Sequence, residues 1–451
     1  MEVTLMELLD ARERRAARQQ ALLRRFGVTL ICFTMNIPGP EKDSPLIRRG
    51  FRLGVSLLEG QLAAAGLTPL HREQRCENTG CEALYALNCS PLTVKAMTVE
   101  LEDAAPLGRL LDMDVIRPDG RKVDRQELGL VGRTCLICGG PARVCARSRA
   151  HPLEQLRKIT EDILMGAVRE ADETTAARLA CQALLYEAAV TPKPGLVDRA
   201  NNGSHRDMDF FTFQASAAAL WPYFARCVRI GSDTRALPPE ETFARLRTSG
   251  KLAEGEMLRA TGGVNTHKGA IFSMGLVCGA LGRLDRPLWR RPEVVLGACA
   301  AMTRGLTARD FAGLTAETAV TAGQRQYLQY GVTGVRGQAE AGFPAVLTAG
   351  LPRLEEALSR GHSLNDAGCA ALLALMAAAD DTNLIHRGGL ILQRRIADAL
   401  TDRLREEPFP EPALLREMDE AFIRRNLSPG GTADLLALTY LLYFLKAEPE
   451  P

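Results

Sequence analysis

From about Thr174 onward the chain has one texture: Ala-, Leu- and Arg-rich segments at helical spacing, with almost no alternating apolar and polar runs. A period near 3.6 residues without a period of two restricts this part to an all-helical fold. Candidate helices cover 174–189, 210–229, 240–247, 268–282, 292–303, 309–317, 340–347, 351–359, 364–379, 389–404 and 411–424. The residues ahead of it read differently. Val28 to Met35 is a β-branched and aromatic run that ends in the breaker Asn36-Ile37-Pro38-Gly39-Pro40, so a buried strand is expected there. A helix over Ser44–Ala65 and strands near Glu82–Asn88 and Val94–Leu101 follow, and residues 4–26 read as a basic amphipathic scaffold helix. The expected fold is an α+β N-terminal domain over 1–165, followed by a larger all-α C-terminal domain over 166–451. A charged helix around 160–175 would link them.

A length of 451 residues agrees with two or three domains. The 56 basic and 54 acidic residues nearly cancel, which argues against a nucleic-acid partner. The longest nearly charge-free run, Gly269 to Gly282, is too short and too rich in glycine to span a bilayer, so no membrane association is expected. Met1-Glu2-Val3-Thr4 lacks the charged-then-apolar secretory pattern. A cytoplasmic protein with reduced thiols for its twelve cysteines is the expectation.

Within the helical part the polar words fall between helices, at 190–209, 261–268, 331–338 and 380–389, where an all-α enzyme would place its site. Asp380-Asp381-Thr382-Asn383 directly follows the apolar run Cys369–Ala379, and unpaired acids at the end of a buried helix are costly unless they bind something. With Arg387-Gly388-Gly389 just beyond, the word suits a divalent cation holding a phosphate-bearing ligand. The loop 191–209 offers Lys193, Arg199 and His205 as phosphate donors, Asp207 and Asp209 as a pair that could converge on a cation, and Glu187 just ahead of it. Asn265, His267 and Lys268 open a helix whose first N–H groups would form an anion site. Singly, each has a structural reading: Asp207 and Asp209 as a helix N-terminus, the histidines as satisfied hydrogen bonders, the glycines as turn residues. Their co-occurrence in one helical region favours a site.

The words TPKPGLVDRANNGSHRDMD, GGVNTHKGAIFSMG, YGVTGVRGQAEAGFP and DDTNLIHRGG resemble those of the triphosphoribosyl-dephospho-CoA synthase family over nearly all of 175–450. The resemblance implies a reaction that joins ATP and 3′-dephospho-CoA into 2′-(5″-triphosphoribosyl)-3′-dephospho-CoA and releases adenine. Mg²⁺ is then expected on Asp207, Asp209, Asp380 and Asp381, and the nucleotide or its phosphates on Lys193, Arg199, His205, Asn265, His267, Lys268, Asn383 and Arg387. Glu187 is the expected base, and Asp381 joins it among the expected catalytic residues.

In the first part, Asp112 and Asp114 within DAAPLGRLLDMD would point to one side of an extended segment, a spacing suited to one Mg²⁺, with Arg109 upstream able to meet a phosphate. Two solvent-facing acids on a strand edge are the commoner explanation of a bare D-x-D, and Gly108-Arg109 upstream brings the two readings level. Cys135-x-x-Cys138 followed by Gly139-Gly140 raises a structural zinc, with Cys145 and His151 as further ligands. The C-x₆-C and C-x₅-H gaps are unusual, however, and free thiols are the preferred reading. RQQALLRRF, FTMNIPGPEK, NTGCEALYALN, PLGRLLDMDV and GRTCLICGGPARVCARSRAH resemble the apo-citrate lyase phosphoribosyl-dephospho-CoA transferases over about 10–160. That resemblance implies transfer of the phosphoribosyl-dephospho-CoA group to a serine of the citrate lyase acyl carrier protein (gamma subunit), with release of pyrophosphate. Arg109, Asp112 and Asp114 would be its catalytic residues, with Mg²⁺ on the two acids. The rival reading keeps only the C-terminal synthase active and makes the first part a zinc-stabilised module that recruits the carrier.

Overall fold

The computed structural model describes residues 2–448, and the chain divides into two compact units, one ending at Ala171 and one beginning at Asp172. The first unit contains α1 (Leu5–Phe26), β1 (Thr29–Met35), α2 (Pro45–Ala64), β2 (His71–Glu77), β3 (Gly80–Leu87), α3 (Pro91–Ala104), β4 (Leu111–Ile116), α4 (Ala142–Ser148) and the start of α5 (Leu153–Ala189). Thr4 and Glu7 form a reciprocal capping box at the head of α1, and Gly27, with φ of 61°, stops it. Ser44 opens α2 by accepting from the Ile47 N–H.

The four strands form one antiparallel sheet in the order β2-β3-β1-β4. Alternation splits β1 between two faces. Ile31 and Phe33 pack with Phe51, Val55 and Leu58 of α2, whereas Leu30 and Cys32 pack with Leu22, Leu84 and Ile116 on the α1 side. The β1–β4 register sets Asp112 opposite Thr34 and Asp114 opposite Cys32. Both acids therefore share the α1 side, while Met113 and Val115 enter the larger core.

Three expectations for this unit need correction. Val94–Leu101 is helical rather than extended, because it lies inside α3, which has Pro91 in its first turn and buries Val94, Thr98 and Glu102 at fourfold spacing. The β-branched residues suggested a strand, but the burial period decides. β2 was hidden by its charged sequence HREQRCE; an edge strand needs no apolar alternation to hold its place. Cys76 and Cys81, register partners across β2 and β3, are joined in a disulfide, so ten cysteines rather than twelve are free thiols.

The second unit is helical among its described residues: the rest of α5, then α6 (Phe210–Ala219), α7 (Trp221–Asp233), α8 (Pro239–Ala260), α9 (Lys268–Arg283), α10 (Pro292–Met302), α11 (Leu306–Phe311), α12 (Ala322–Tyr330), α13 (Gly334–Glu340), α14 (Leu351–Ser359), α15 (Leu364–Ala378), α16 (Thr382–Gly388), α17 (Leu390–Glu406), α18 (Pro412–Arg424) and α19 (Gly430–Ala447). α9, α15 and α19 are buried on nearly every side and make the centre of one large apolar core. α19 falls outside the expected helices, because a fully buried helix shows no amphipathic period and Pro429-Gly430-Gly431 ahead of it reads as a turn. α16 occupies a word expected to be a loop, and the helix expected over 340–347 is interrupted after Glu340, with Phe343 at φ 51°. No single helix among the described residues is long and apolar enough to cross a membrane.

Candidate active sites

In the first unit Asp112 and Asp114 help line a cleft of about 660 Å³, a volume suited to a nucleotide-sized ligand. Arg12, Arg15, Lys42 and Lys122 line it too. Lys122 Nζ lies 2.5 Å from Asp114, and the Arg133 guanidinium lies 3.9 Å from Asp112 and 3.3 Å from the buried Glu102. Burial, and then the charge of Asp114, hold the Asp112 carboxyl above its ordinary range. Burial, and then Arg12, lower Lys42. Two acids are thus set among several cations in one concavity.

Arg109, expected at the phosphate, is absent from the cleft lining and instead donates to Thr134, at 2.5 Å to its carbonyl oxygen and 2.9 Å to its hydroxyl. Arg133 is the arginine that approaches Asp112. The signal for Arg12 and Arg15 was present in α1, three residues apart on its basic face, but a scaffold reading of that helix obscured it.

In the second unit the site grows from four chain segments. α5 ends near Glu187, which is 3% exposed, and the loop after it folds Lys193 back so that its ammonium donates to the Glu187 carboxylate at 2.5 Å and to the Glu187 carbonyl oxygen at 2.7 Å. Asp198 fixes that loop by accepting from the N–H groups of Lys193, Ala200 and Asn201. Burial raises the Glu187 carboxyl, and the Lys193 ammonium opposes that rise. Lys193, expected as a phosphate donor, is thus buried and paired with an acid.

His267, at the head of α9, is buried; its Nδ1 is 2.7 Å from the Ser216 hydroxyl and its Nε2 has no hydrogen-bond partner. Burial, and then the Lys193 charge, lower it to about 3, so it is neutral. Asp434 on α19 was missed by sequence reasoning. Its carboxylate lies against the first turn of α9, where the Ala270 N–H favours the charged form, and Gly269 must lack a side chain there, since a Cβ would lie 1.8 Å from Asp434 Oδ2. The anion at the head of α9 is thus the protein's own carboxylate. Burial, then Glu187, then Asp381 push the Asp434 carboxyl well above the carboxylate range. Unlike Glu187 and Asp381 it is only partly buried. A signal was available: an acid three residues after a Pro-Gly-Gly turn, inside an apolar run.

Asp381 is buried and fully engaged. Its Oδ1 accepts from the N–H groups of Asn383 and Leu384, capping α16, and its Oδ2 accepts from the N–H and hydroxyl of Thr432 in α19. Asp209 caps α6 through Thr212 and is exposed, as are Asp207 and Asp380. Two of the four acids expected at a metal, Asp209 and Asp381, spend oxygens on helix ends. Asn383 packs against Gly430. Arg387 does join the words at 190–209 and 380–389, donating to Ser204 O and also to Asn426, and burial, then the Arg387 charge, lowers His205, which is 2.9 Å from Ser428 Oγ. Arg199 bonds Thr191 and Asn365, Lys268 pairs with Glu254 at 2.8 Å, and Asn265 is exposed.

Comparison with known proteins assigns both parts. Residues 173–450 match the family model described as ATP:dephospho-CoA triphosphoribosyl transferase, and residues 3–166 match that described as apo-citrate lyase phosphoribosyl-dephospho-CoA transferase. Protein CitXG of Haemophilus influenzae is 39% identical over 98% of this chain and 96% of its own length. Protein CitXG of Leuconostoc mesenteroides is 33% identical over 98% and 97%. The 2-(5″-triphosphoribosyl)-3′-dephosphocoenzyme-A synthase of Haemophilus ducreyi is 42% identical over 68% of this chain and 98% of its own.

Proposed function

Because this chain belongs to the ATP:dephospho-CoA triphosphoribosyl transferase family through residues 173–450 and to the apo-citrate lyase phosphoribosyl-dephospho-CoA transferase family through residues 3–166, we infer that it is a bifunctional transferase. The second activity joins ATP and 3′-dephospho-CoA into 2′-(5″-triphosphoribosyl)-3′-dephospho-CoA and releases adenine. The first activity moves the phosphoribosyl-dephospho-CoA group onto apo-citrate lyase and releases pyrophosphate. We assign the acceptor to a serine of the acyl carrier (gamma) subunit, the two activities to domains 166–451 and 1–165, and the location to the cytoplasm. The observation that carries the reading is the end-to-end match to Protein CitXG of Haemophilus influenzae, with a site of acids and cations in each part.

In the second unit, breaking the N-glycosidic bond of ATP builds positive charge on the ribose while the dephospho-CoA 2′-hydroxyl attacks C1′. We assign removal of the hydroxyl proton to Asp434 in place of Glu187: its carboxyl is raised, as a base working near neutrality requires, and it is less buried than Glu187. Glu187, held by Lys193, keeps negative charge beside it. His267, neutral and with Nε2 free, offers a hydrogen bond to the substrate, and Arg387 stands near His205 as a phosphate contact.

A divalent cation fits the first unit, where Asp112 and Asp114 line one cleft and burial, then the Asp114 charge, raise the Asp112 carboxyl. These two residues would hold Mg²⁺, which neutralises the departing pyrophosphate when bound. In the first unit Arg133, Lys122, Arg12 and Arg15 orient the phosphates.

The test is incubation with ATP, dephospho-CoA, Mg²⁺ and apo acyl carrier subunit, followed by the intact mass of the carrier and assays for adenine and pyrophosphate. A carrier that gains the phosphoribosyl-dephospho-CoA mass, with both by-products, is the expected result. Adenine without carrier modification would overturn the first activity and leave a recruiting module.

A further inference from the structure

Between Asp124 and Pro152 only one residue, Cys135, is buried, and neither the 3₁₀ turn Arg125–Leu128 nor α4 buries any. A segment of this length without an apolar core needs some other tie. The sulfur atoms of Cys135, Cys138 and Cys145 and a ring nitrogen of His151 all lie within 4.8 Å of one another. Cys138 and Cys145 are 3.5 Å apart at sulfur. Ligands about 2.3 Å from a tetrahedral ion are separated by about 3.8 Å, so the four atoms already surround one point at nearly that spacing.

The backbone is shaped for the same purpose. A small hairpin pairs Thr134 with Pro141, Cys135 N–H donates to Gly140 O at 2.6 Å, and Gly139 takes φ 71° to close it. That turn sends Cys138 back towards Cys135 and lets the Ile137 N–H reach the Cys135 sulfur at 3.5 Å. α4 then carries Cys145. Arg149, at φ 51°, reverses the chain in a conformation that L side chains rarely adopt, and this returns His151 to the thiols. The Nε2 of His151 is inaccessible to solvent and has no hydrogen-bond partner.

We propose that Cys135, Cys138, Cys145 and His151 bind one structural Zn²⁺, which fixes the segment that sets Arg133 beside Asp112 and Leu136 in the wall of the Asp112–Asp114 cleft. Three thiolates and an imidazole suit a borderline-soft ion and leave no open position for chemistry. Arg133 immediately precedes the hairpin, donates to Leu111 O and faces Asp112 and Glu102; Thr134 accepts from Arg109; Leu136 lines the cleft. The ion is thereby a positioning element. Its effect on group transfer rests on the transferase reading above, whereas its binding does not.

The full chain, purified from zinc-supplemented cells and dialysed, would be analysed for metal by mass spectrometry and by optical absorption after replacement with Co²⁺. One zinc per chain is expected, with the intense charge-transfer and d–d bands of tetrahedral cobalt bound to thiolates. Cys138→Ser should lose both, while Cys89→Ser keeps them. Adenine release by the second unit should be unchanged in Cys138→Ser, the far-UV circular dichroism should keep the sheet signal of the first unit, and pyrophosphate release should fall at least about tenfold. Substoichiometric zinc without the cobalt bands in the unaltered chain would overturn the proposal. So would a mass deficit of two hydrogens placing a disulfide between Cys138 and Cys145. Zinc bound but no transfer in the unaltered chain would overturn the transferase reading alone.

Discussion

Replacing Lys193 by Met tests the centre of the second unit. Lys193 is 1% exposed, its ammonium lies 2.5 Å from the Glu187 carboxylate, and Glu187 is itself 3% exposed. Met fills most of the same volume but leaves Glu187 without its cation. Removing one partner of a buried pair costs about 3–5 kcal/mol, because the remaining charge is uncompensated. Burial already raises Glu187, and Lys193 is the largest influence against that rise, so the variant raises it further. The sign of the pH dependence then follows. Between the unfolded carboxyl's ordinary pKa, about 4.3, and the raised folded value, the native state retains a proton that the unfolded state has lost. Stability must fall as pH rises through that window, by up to about 1.4 kcal/mol per pH unit. The deficit of Lys193→Met relative to the unaltered protein is therefore smallest near pH 4 and reaches its full size near neutrality. Trp221 and Trp289, the two tryptophans of the chain, both lie in the second unit, so urea unfolding followed by tryptophan fluorescence reports that unit alone. A deficit that does not change between about pH 4.5 and about pH 7.5 would refute the reasoning, since it would mean that the lost interaction is packing and not charge.

Asp434→Asn should lower adenine release about 10²- to 10⁴-fold, the range for a lost general base, while urea unfolding of the second unit is little changed. In the unaltered enzyme the rate should climb as pH rises through the raised Asp434 pKa, because the base form appears there; the Asn variant should lack that limb, and a retained limb would return the role to another group. Asp112→Asn and Asp114→Asn should each abolish carrier modification and leave adenine release untouched, and a carrier still modified at the normal rate would favour the recruiting-module reading. Asp209→Ala should shift the fluorescence unfolding midpoint slightly through loss of the α6 cap and leave the Mg²⁺ dependence of adenine release in place; a raised Mg²⁺ requirement would restore Asp209 as a ligand.

The fold class was legible because texture changes along the chain, and what escaped did so for definable reasons. Amphipathic helices such as α17 announce themselves by period, whereas α19 is apolar on all sides and offers none. β2 is polar because an edge strand can be. At the sites, residue type was legible and partnership was not. Lys193, Arg199 and Lys268 are the cations one would choose for phosphate, but Lys193 meets a buried Glu187, Arg199 holds Asn365 and Lys268 holds Glu254. Asp209 and Asp381 stand where metal ligands would stand in a motif, yet each is the first residue before a helix, the position at which a carboxylate is most easily consumed by backbone N–H groups. Conversely Arg133, inside the word GRTCLICGG, and Asp434, just after Pro-Gly-Gly, had sequence signals, but only the tertiary arrangement brings each to its acid neighbours.

The acids of the second unit show how helix ends can sort carboxylates into different roles. Asp381 receives four donors, three of them backbone N–H groups at the heads of α16 and α19, and these hydrogen bonds oppose the rise that burial imposes. Glu187 is held by one ammonium. In each the partners oppose the rise, and each then acts on Asp434, which has no paired cation of its own among the described residues. The proton-holding carboxyl is thus the one the other two leave least supported, and it is also the one open enough to meet a substrate. The buried Lys193–Glu187 pair and the Asp381 cap would then have a common purpose beyond stability: they fix two negative charges beside a third carboxyl and so hold its affinity for a proton high. On that logic the perturbation of Asp434 is a property of the whole arrangement, and Lys193→Met, by letting Glu187 take up a proton, should lower the Asp434 pKa and move the pH limb of adenine release towards acid.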